Sequence, residues 1–190
     1  MILGLILVVL LVVVIGYWIG IYNGLVRVRA EVKLAWSNID VLLVQRHDEL
    51  PKLIEVCRQY MQFEQDTLER VTKARSAVDA ARGSGNINSV GAAEQELRAG
   101  LGGLYAVAER YPDLKANEAF RQLQARISAL ETAIADRREI YNDSVNANNV
   151  RLQTFPDTLI ASFGNFHPAK LLEFLSDEKS DVDVKAQFAR

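Results

Sequence analysis

The chain has 190 residues, 49% apolar and 24% charged, and its 22 basic and 24 acidic side chains leave a net charge of −2. That length suits one domain with an appendage and is enough to bury a core, while the charge balance argues against the strongly basic face of a nucleic-acid-binding module. A single cysteine, Cys57, excludes an internal disulfide or a Cys-pair metal site, and two histidines, His47 and His167, leave zinc and His-relay schemes short of ligands.

Residues 2–22 carry no charge. As a helix this run is about 30 Å long, the thickness of a bilayer's hydrocarbon core. Tyr17, Trp18 and Tyr22 cluster at its C-terminal end, where amphipathic rings settle at the lipid–water interface. A cleaved signal peptide is the competing reading. It lacks support here: there is no basic leading region, the apolar run is long, and no A-x-A-like site comes after it. Arg27, Arg29 and Lys33 lie just beyond the span, so the positive-inside rule favours a cytoplasmic C-terminal part, with a periplasmic one as the alternative. Gly16, Gly20 and Gly24 fall four apart on one stripe, a spacing that lets two membrane helices approach closely. Residues 22–32 hold no proline and only Gly24, which predicts a nearly continuous helix from the bilayer into the first long helix of the bundle.

The rest reads as helix. An apolar run passes from Trp36 through Ile39, Leu43, Leu50, Leu53, Cys57, Tyr60, Leu68 and Val71 to Val78, with a kink or short break expected at Pro51. Cys57 lies on this seam, as expected of a buried, inert thiol. Residues 82–91, rich in Gly, Ser and Asn, predict a loop, and a shorter helix is expected from 92 to about 110, where Gly100, Gly102 and Gly103 either weaken it locally or let a neighbouring helix come close. Residues 111–113 predict a tight turn into a long helix of coiled-coil type. Its seam is Phe120, Leu123, Ile127, Leu130, Ile134, Tyr141, Val145, Leu152 and Phe155, interrupted by Arg137 and Asn148. Phe155-Pro156 ends it. Residues 157–163 predict a short amphipathic helix, 164–168 a break, and 170–175 another turn or two; the acidic tail from 176 reads as loosely ordered in isolation. The expected fold is all-α: an anchor over 1–23, an antiparallel helical bundle over 24–168 and a tail over 169–190.

Motifs for chemistry are missing. There is no H-E-x-x-H, no G-x-S-x-G, no phosphate-binding loop and no Glu-x-x-His pair. Cys57 and His47 are ten residues apart on one helix, about 15 Å, too far for a thiolate–imidazolium pair. No catalytic residue, cofactor or metal is expected, and the reading is non-enzymatic. What stands out is crowded polar residues: Ser37, Asn38 and Asp40 after Trp36, 46–49 before Pro51, and Arg137, Arg138, Glu139, Asn142, Asp143 and Asn146 on the long helix.

Ordered blocks over about three quarters of the chain carry a resemblance. They are YNGLVRVR (22–29), AWSNIDV (35–41), RHDELPKLI (46–54), Tyr60 with Glu64, LERVTKAR (68–75), ERYPDLKAN (109–117), FRQLQ (120–124), ETAIADRREIYN (131–142) and Phe155-Pro156. In these blocks the sequence resembles the LemA family of bacterial single-pass membrane proteins. Departures are Asn148-Asn149, where the family shows a second Y-N, and R-H-D-E-L-P in place of a more basic R-R-x-D-L-I-P. The resemblance implies a membrane helix followed by an antiparallel bundle in the bacterial inner membrane. It brings no catalytic residues, and relatives linked to magnetosome membrane organelles point toward membrane organisation. Trp36, Asp40, Arg46, Pro51, Tyr60, Glu64, Tyr111, Pro112, Tyr141 and Asn142 match recurrent family positions and are read as fold or assembly determinants. The expected partners are the lipid bilayer, further copies of the chain and another membrane protein, with no nucleic acid. The expected function is a self-assembling membrane scaffold; the alternative is an adaptor or sensor for a membrane protease or signalling protein.

Overall fold

The computed structural model describes residues 1–173, most of them helical, with no strand among those residues. Expectations for residues 174–190 lie outside the described residues. Six helices run in order: α1 (Ile2–Tyr60), α2 (Gln65–Ser84), α3 (Ile87–Ala108), α4 (Pro112–Ala116), α5 (Glu118–Gln153) and α6 (Asp157–Phe163). They divide into two compact units, one of residues 1–46 and 126–171, the other of residues 47–125 with 172–173.

In the first unit, α1 and α5 run antiparallel, as two contacts show: Gly24 lies against Arg151, and twelve residues further along α1 Trp36 meets Tyr141. Between them Leu25, Ala35, Ile39 and Leu43 of α1 and Ile127, Ile134, Tyr141 and Val145 of α5 are buried. These recur at spacings of four, seven and ten, the pattern of one apolar face. Asn148 is buried within the seam, as expected, but the seam differs at two places: Phe155 is exposed, and Arg137 is exposed while the buried line passes beside Arg138. A straight helix of 3.6 residues per turn drifts from a strict seven-residue repeat, and Arg137 falls on the outer side of that drift.

The second unit holds α2 and α3 as an antiparallel pair beside residues 47–60 of α1. Of the kink or short break expected at Pro51, the break is absent, for α1 runs through it as one 59-residue helix. Proline removes the N–H that would bond the carbonyl four residues back, here His47. That carbonyl accepts instead from Arg75 Nε of α2 at 3.0 Å. The break comes ten residues later. Residues 61–64 form a turn that the apolar spacing conceals, because Met61 and Leu68 stay buried seven residues apart across it. The loop expected over 82–91 shrinks to two residues. Gly85 takes a left-handed φ of 67° to cap α2, and the Asn86 side chain accepts from the Asn88 N–H at 3.1 Å to start α3. Gly100 brings α3 close to Val71 of α2, and Gly91 leaves room for the Glu173 carbonyl, which a Cβ there would overlap.

The tight turn expected over 111–113 is instead the start of α4, with Pro112 in its first turn. Asn117 then opens α5, its Oδ1 accepting from the Phe120 N–H at 3.0 Å. The short helix expected over 157–163 is α6, and its Ile160 and Ala161 pack on Ile21 and Leu25 of α1. Residues 170–173, part of the segment expected to add a turn, are not helical.

Candidate functional site

The recurrent motif residues gather at two places, one in each unit. In the first unit the Trp36 and Tyr141 rings meet edge-on, 5.8 Å between centroids at 63°. Tyr141 Oη donates to the Lys170 carbonyl at 2.9 Å, and burial raises its pKa above the ordinary phenol value. Two turns along α5, Asn149 clasps the same extended segment twice: its Nδ2 donates to the Ala169 carbonyl and its Oδ1 accepts from the Ala169 N–H, both at 2.9 Å. These bonds hold the segment around Ala169 and Lys170 along α5. A small cleft of about 260 Å³ remains between Arg29, Lys33, Trp36 and His167.

In the second unit the turn after α1 is locked to the turn before α4. Arg110 Nη2 donates to Glu64 Oε1 at 2.8 Å, and Tyr111 Oη approaches the same oxygen at 3.4 Å. Asn117 Nδ2 donates to Tyr60 Oη at 3.0 Å. Tyr60, Glu64, Tyr111 and Pro112 thus meet at one end of the helical pair. Of the other motif residues, Asp40 and Asn142 are half-buried on α1 and α5, Arg46 is buried on α1, and Pro51 is exposed.

Sequence reasoning missed three residues with structural work. Arg75 has a second role, since its Nη2 lies 2.6 Å from His47 Nε2. A guanidinium can only donate, so that ring nitrogen accepts and the imidazole proton sits on Nδ1. Arg151 Nε bonds Asp157 Oδ2 at 2.6 Å, and its guanidinium covers Gly24 so closely that a Cβ there would overlap it. Asn149, noted only as a departure from the family pattern, holds Ala169. The blocks LERVTKAR and the Asn148-Asn149 pair contain two of these, but nothing in linear spacing tells which backbone group each would reach.

The membrane-helix glycines part company accordingly. Gly24 is occupied by Arg151, while Gly16 and Gly20 face open space. The apolar stretch of α1 is long and apolar enough to cross a membrane; residues 2–20 are exposed, and Ile21 is buried against α6. Tyr17, Trp18 and Tyr22 are exposed at its end, with Trp18 against Phe163 of α6 and Tyr22 against Phe166.

Cys57 is a free, fully buried thiol, pushed up to about 12 by burial. Its stabilising contribution is present below the ordinary thiol range near ~8.5 and is lost as pH rises toward the raised value. Maleimide at neutral pH should therefore modify Cys57 about a thousandfold more slowly in the native protein than in denaturant, read by mass spectrometry. Prompt native labelling would overturn the assignment of an inert core thiol. Among the described residues, no group of three or more His, Cys, Asp or Glu side chains is placed to hold a metal ion.

Comparison with known proteins places this arrangement. The profile of the LemA family matches residues 35–188. The chain is 28% identical over 171 residues to Protein LemA of Metamycoplasma hominis, covering 88% of this chain and 75% of that protein. It is 23% identical over 178 residues to Magnetosome protein MamQ 2 of Paramagnetospirillum magneticum, covering 80% of this chain and 64% of the relative. Magnetosome protein MamQ of Magnetospirillum gryphiswaldense is 24% identical over 171 residues, 76% of this chain and 62% of its own length. The chain therefore spans less than two thirds of these magnetosome proteins.

Proposed function

Because the chain belongs to the LemA family, we propose that it is a membrane-anchored, self-assembling helical scaffold, without catalytic activity, that organises the bacterial inner membrane it spans. The observation that carries this reading is the unbroken α1, whose uncovered apolar surface continues past the span. Val26, Leu34, Val41 and Val44 are exposed and fall within about 80° of one another around the helix. An apolar stripe of this kind on a rigid rod is suited to side-by-side packing of identical subunits. Gly16 and Gly20 offer one small-xxx-small step for the same packing within the bilayer. The names of the magnetosome relatives favour a role in membrane organisation. Arg27, Arg29 and Lys33 favour a cytoplasmic bundle.

Sizing of the detergent-purified protein by light scattering and electron microscopy tests the reading. A large uniform particle is expected, and Gly16→Leu with Gly20→Leu should shrink it while leaving insertion intact. An unchanged particle in that variant would assign assembly to the helices outside the span. A wild-type monomer or dimer would overturn the scaffold and favour the adaptor or sensor reading. The feature favouring that alternative is Phe63, 94% exposed at the turn after α1.

A further inference from the structure

We infer that α6 and its flanks form a second membrane contact, a short interfacial foot inserted into the same leaflet from which α1 emerges. The inference rests on the reading that residues 2–22 span the bilayer. It begins with three aromatic and aliphatic side chains that the fold leaves uncovered: Phe155 is 75% exposed, Leu159 48% and Phe163 79%. Leu159 and Phe163 lie four apart and share one face of α6. The opposite face, Ile160 and Ala161, is buried on Ile21 and Leu25 and so fixes α6 beside the end of the span.

Its depth follows from two ring contacts. Phe166 meets Tyr22 at 5.6 Å between centroids, and Phe163 reaches back to Trp18 at 6.4 Å. Trp18 lies one turn, about 6 Å, further into the apolar run than Tyr22. If the span crosses the bilayer, Trp18 and Tyr22 sit in the headgroup belt, and Phe163 then lies at that depth too. A cleft of about 320 Å³ between these elements is lined by Trp18, Ile19, Tyr22, Ile160, Phe163 and Gly164, without a charged side chain.

Charge fits the same occupant. The only ionisable side chain in α6 is Asp157, and Arg151 neutralises it at 2.6 Å. Arg27 and Arg29 are exposed about 8–11 Å beyond Tyr22 along α1, the level of lipid phosphates, and the Arg29 guanidinium lies 6.0 Å from the Phe166 ring centroid. Apolar side chains at belt depth with cations just above them are the pattern of a helix lying in the membrane interface. The foot would hold the emerging helix against tumbling about the membrane normal.

The test uses the full chain reconstituted in phosphatidylethanolamine–phosphatidylglycerol vesicles, with Cys57→Ala and single spin labels at Leu159→Cys, Phe163→Cys, Phe155→Cys, Val9→Cys and Ser128→Cys. Phe155→Cys lies outside α6 and repeats the measurement without altering that helix. Accessibility to oxygen is compared with accessibility to a water-soluble nickel chelate. The ratio of oxygen to nickel accessibility at 155, 159 and 163 should exceed that at 128 several-fold and approach that at 9. If 9 reads lipid while 155, 159 and 163 read like 128, the foot is overturned and the span survives. A water-like reading at 9 overturns the span itself, and the foot with it. Spin–spin broadening with low access to both reagents at 159 and 163 would assign the patch to a second copy and likewise overturn the inference.

Discussion

Leu34→Glu combined with Val41→Glu is expected to reduce the detergent-purified particle from many subunits to one or two. Both side chains are largely exposed in the single chain, at 63% and 56%, so the substitutions should leave its helicity and thermal stability within about 0.5 kcal/mol of the parent. In an assembly of parallel α1 rods the same positions would be buried between neighbours. Each aliphatic side chain covered there contributes on the order of 1–2 kcal/mol, and a carboxylate in its place, unpaired and desolvated, costs several. Repeated at every interface, that change exceeds the free energy any weak lateral contact provides. Light scattering of the purified variant reads the outcome. A particle of unchanged mass would show that this stripe faces lipid or solvent in the assembly and that other surfaces hold the subunits together.

Arg75→Ala should destabilise the protein by about 2 kcal/mol, because it strips a charged donor from the backbone carbonyl that Pro51 leaves unbonded. For a chain of this size that corresponds to a fall of about 4–8 °C in Tm. A double-mutant cycle isolates the carbonyl bond. Pro51→Ala restores an N–H to the helix and lets it bond the His47 carbonyl directly, so in that background the penalty of Arg75→Ala should shrink by about 1 kcal/mol or more. An equal penalty with and without Pro51 would mean that Arg75 stabilises α1 only through the His47 ring, at 2.6 Å, and that the carbonyl bond contributes nothing. Circular dichroism melts of the four proteins decide it.

The sequence by itself determined the elements whose signal is local or periodic. Twenty-one uncharged residues can only be a helix if they cross a bilayer, since every backbone group must be bonded within the segment. The seam from Phe120 to Val145 required a long helix with one buried face, Phe155-Pro156 required its end, and residues 157–163 required a short amphipathic helix. Even the continuity of α1 past Tyr22 was legible, because nothing in residues 22–32 could interrupt it. The tertiary structure decided what depends on groups distant in the chain. Pro51 ought to break a helix, and does not, because Arg75, 24 residues on, supplies the missing bond to His47. The turn at 61–64 has no glycine or proline to announce it, and Met61 and Leu68 keep the apolar spacing intact across it. Three glycines on one stripe looked equivalent, yet Arg151 fills the space over Gly24 and leaves only Gly16 and Gly20 open. The physical reason is the same each time: periodicity records which face of a helix avoids water, but a hydrogen bond or an overlap belongs to two atoms, and only the folded chain says which two meet.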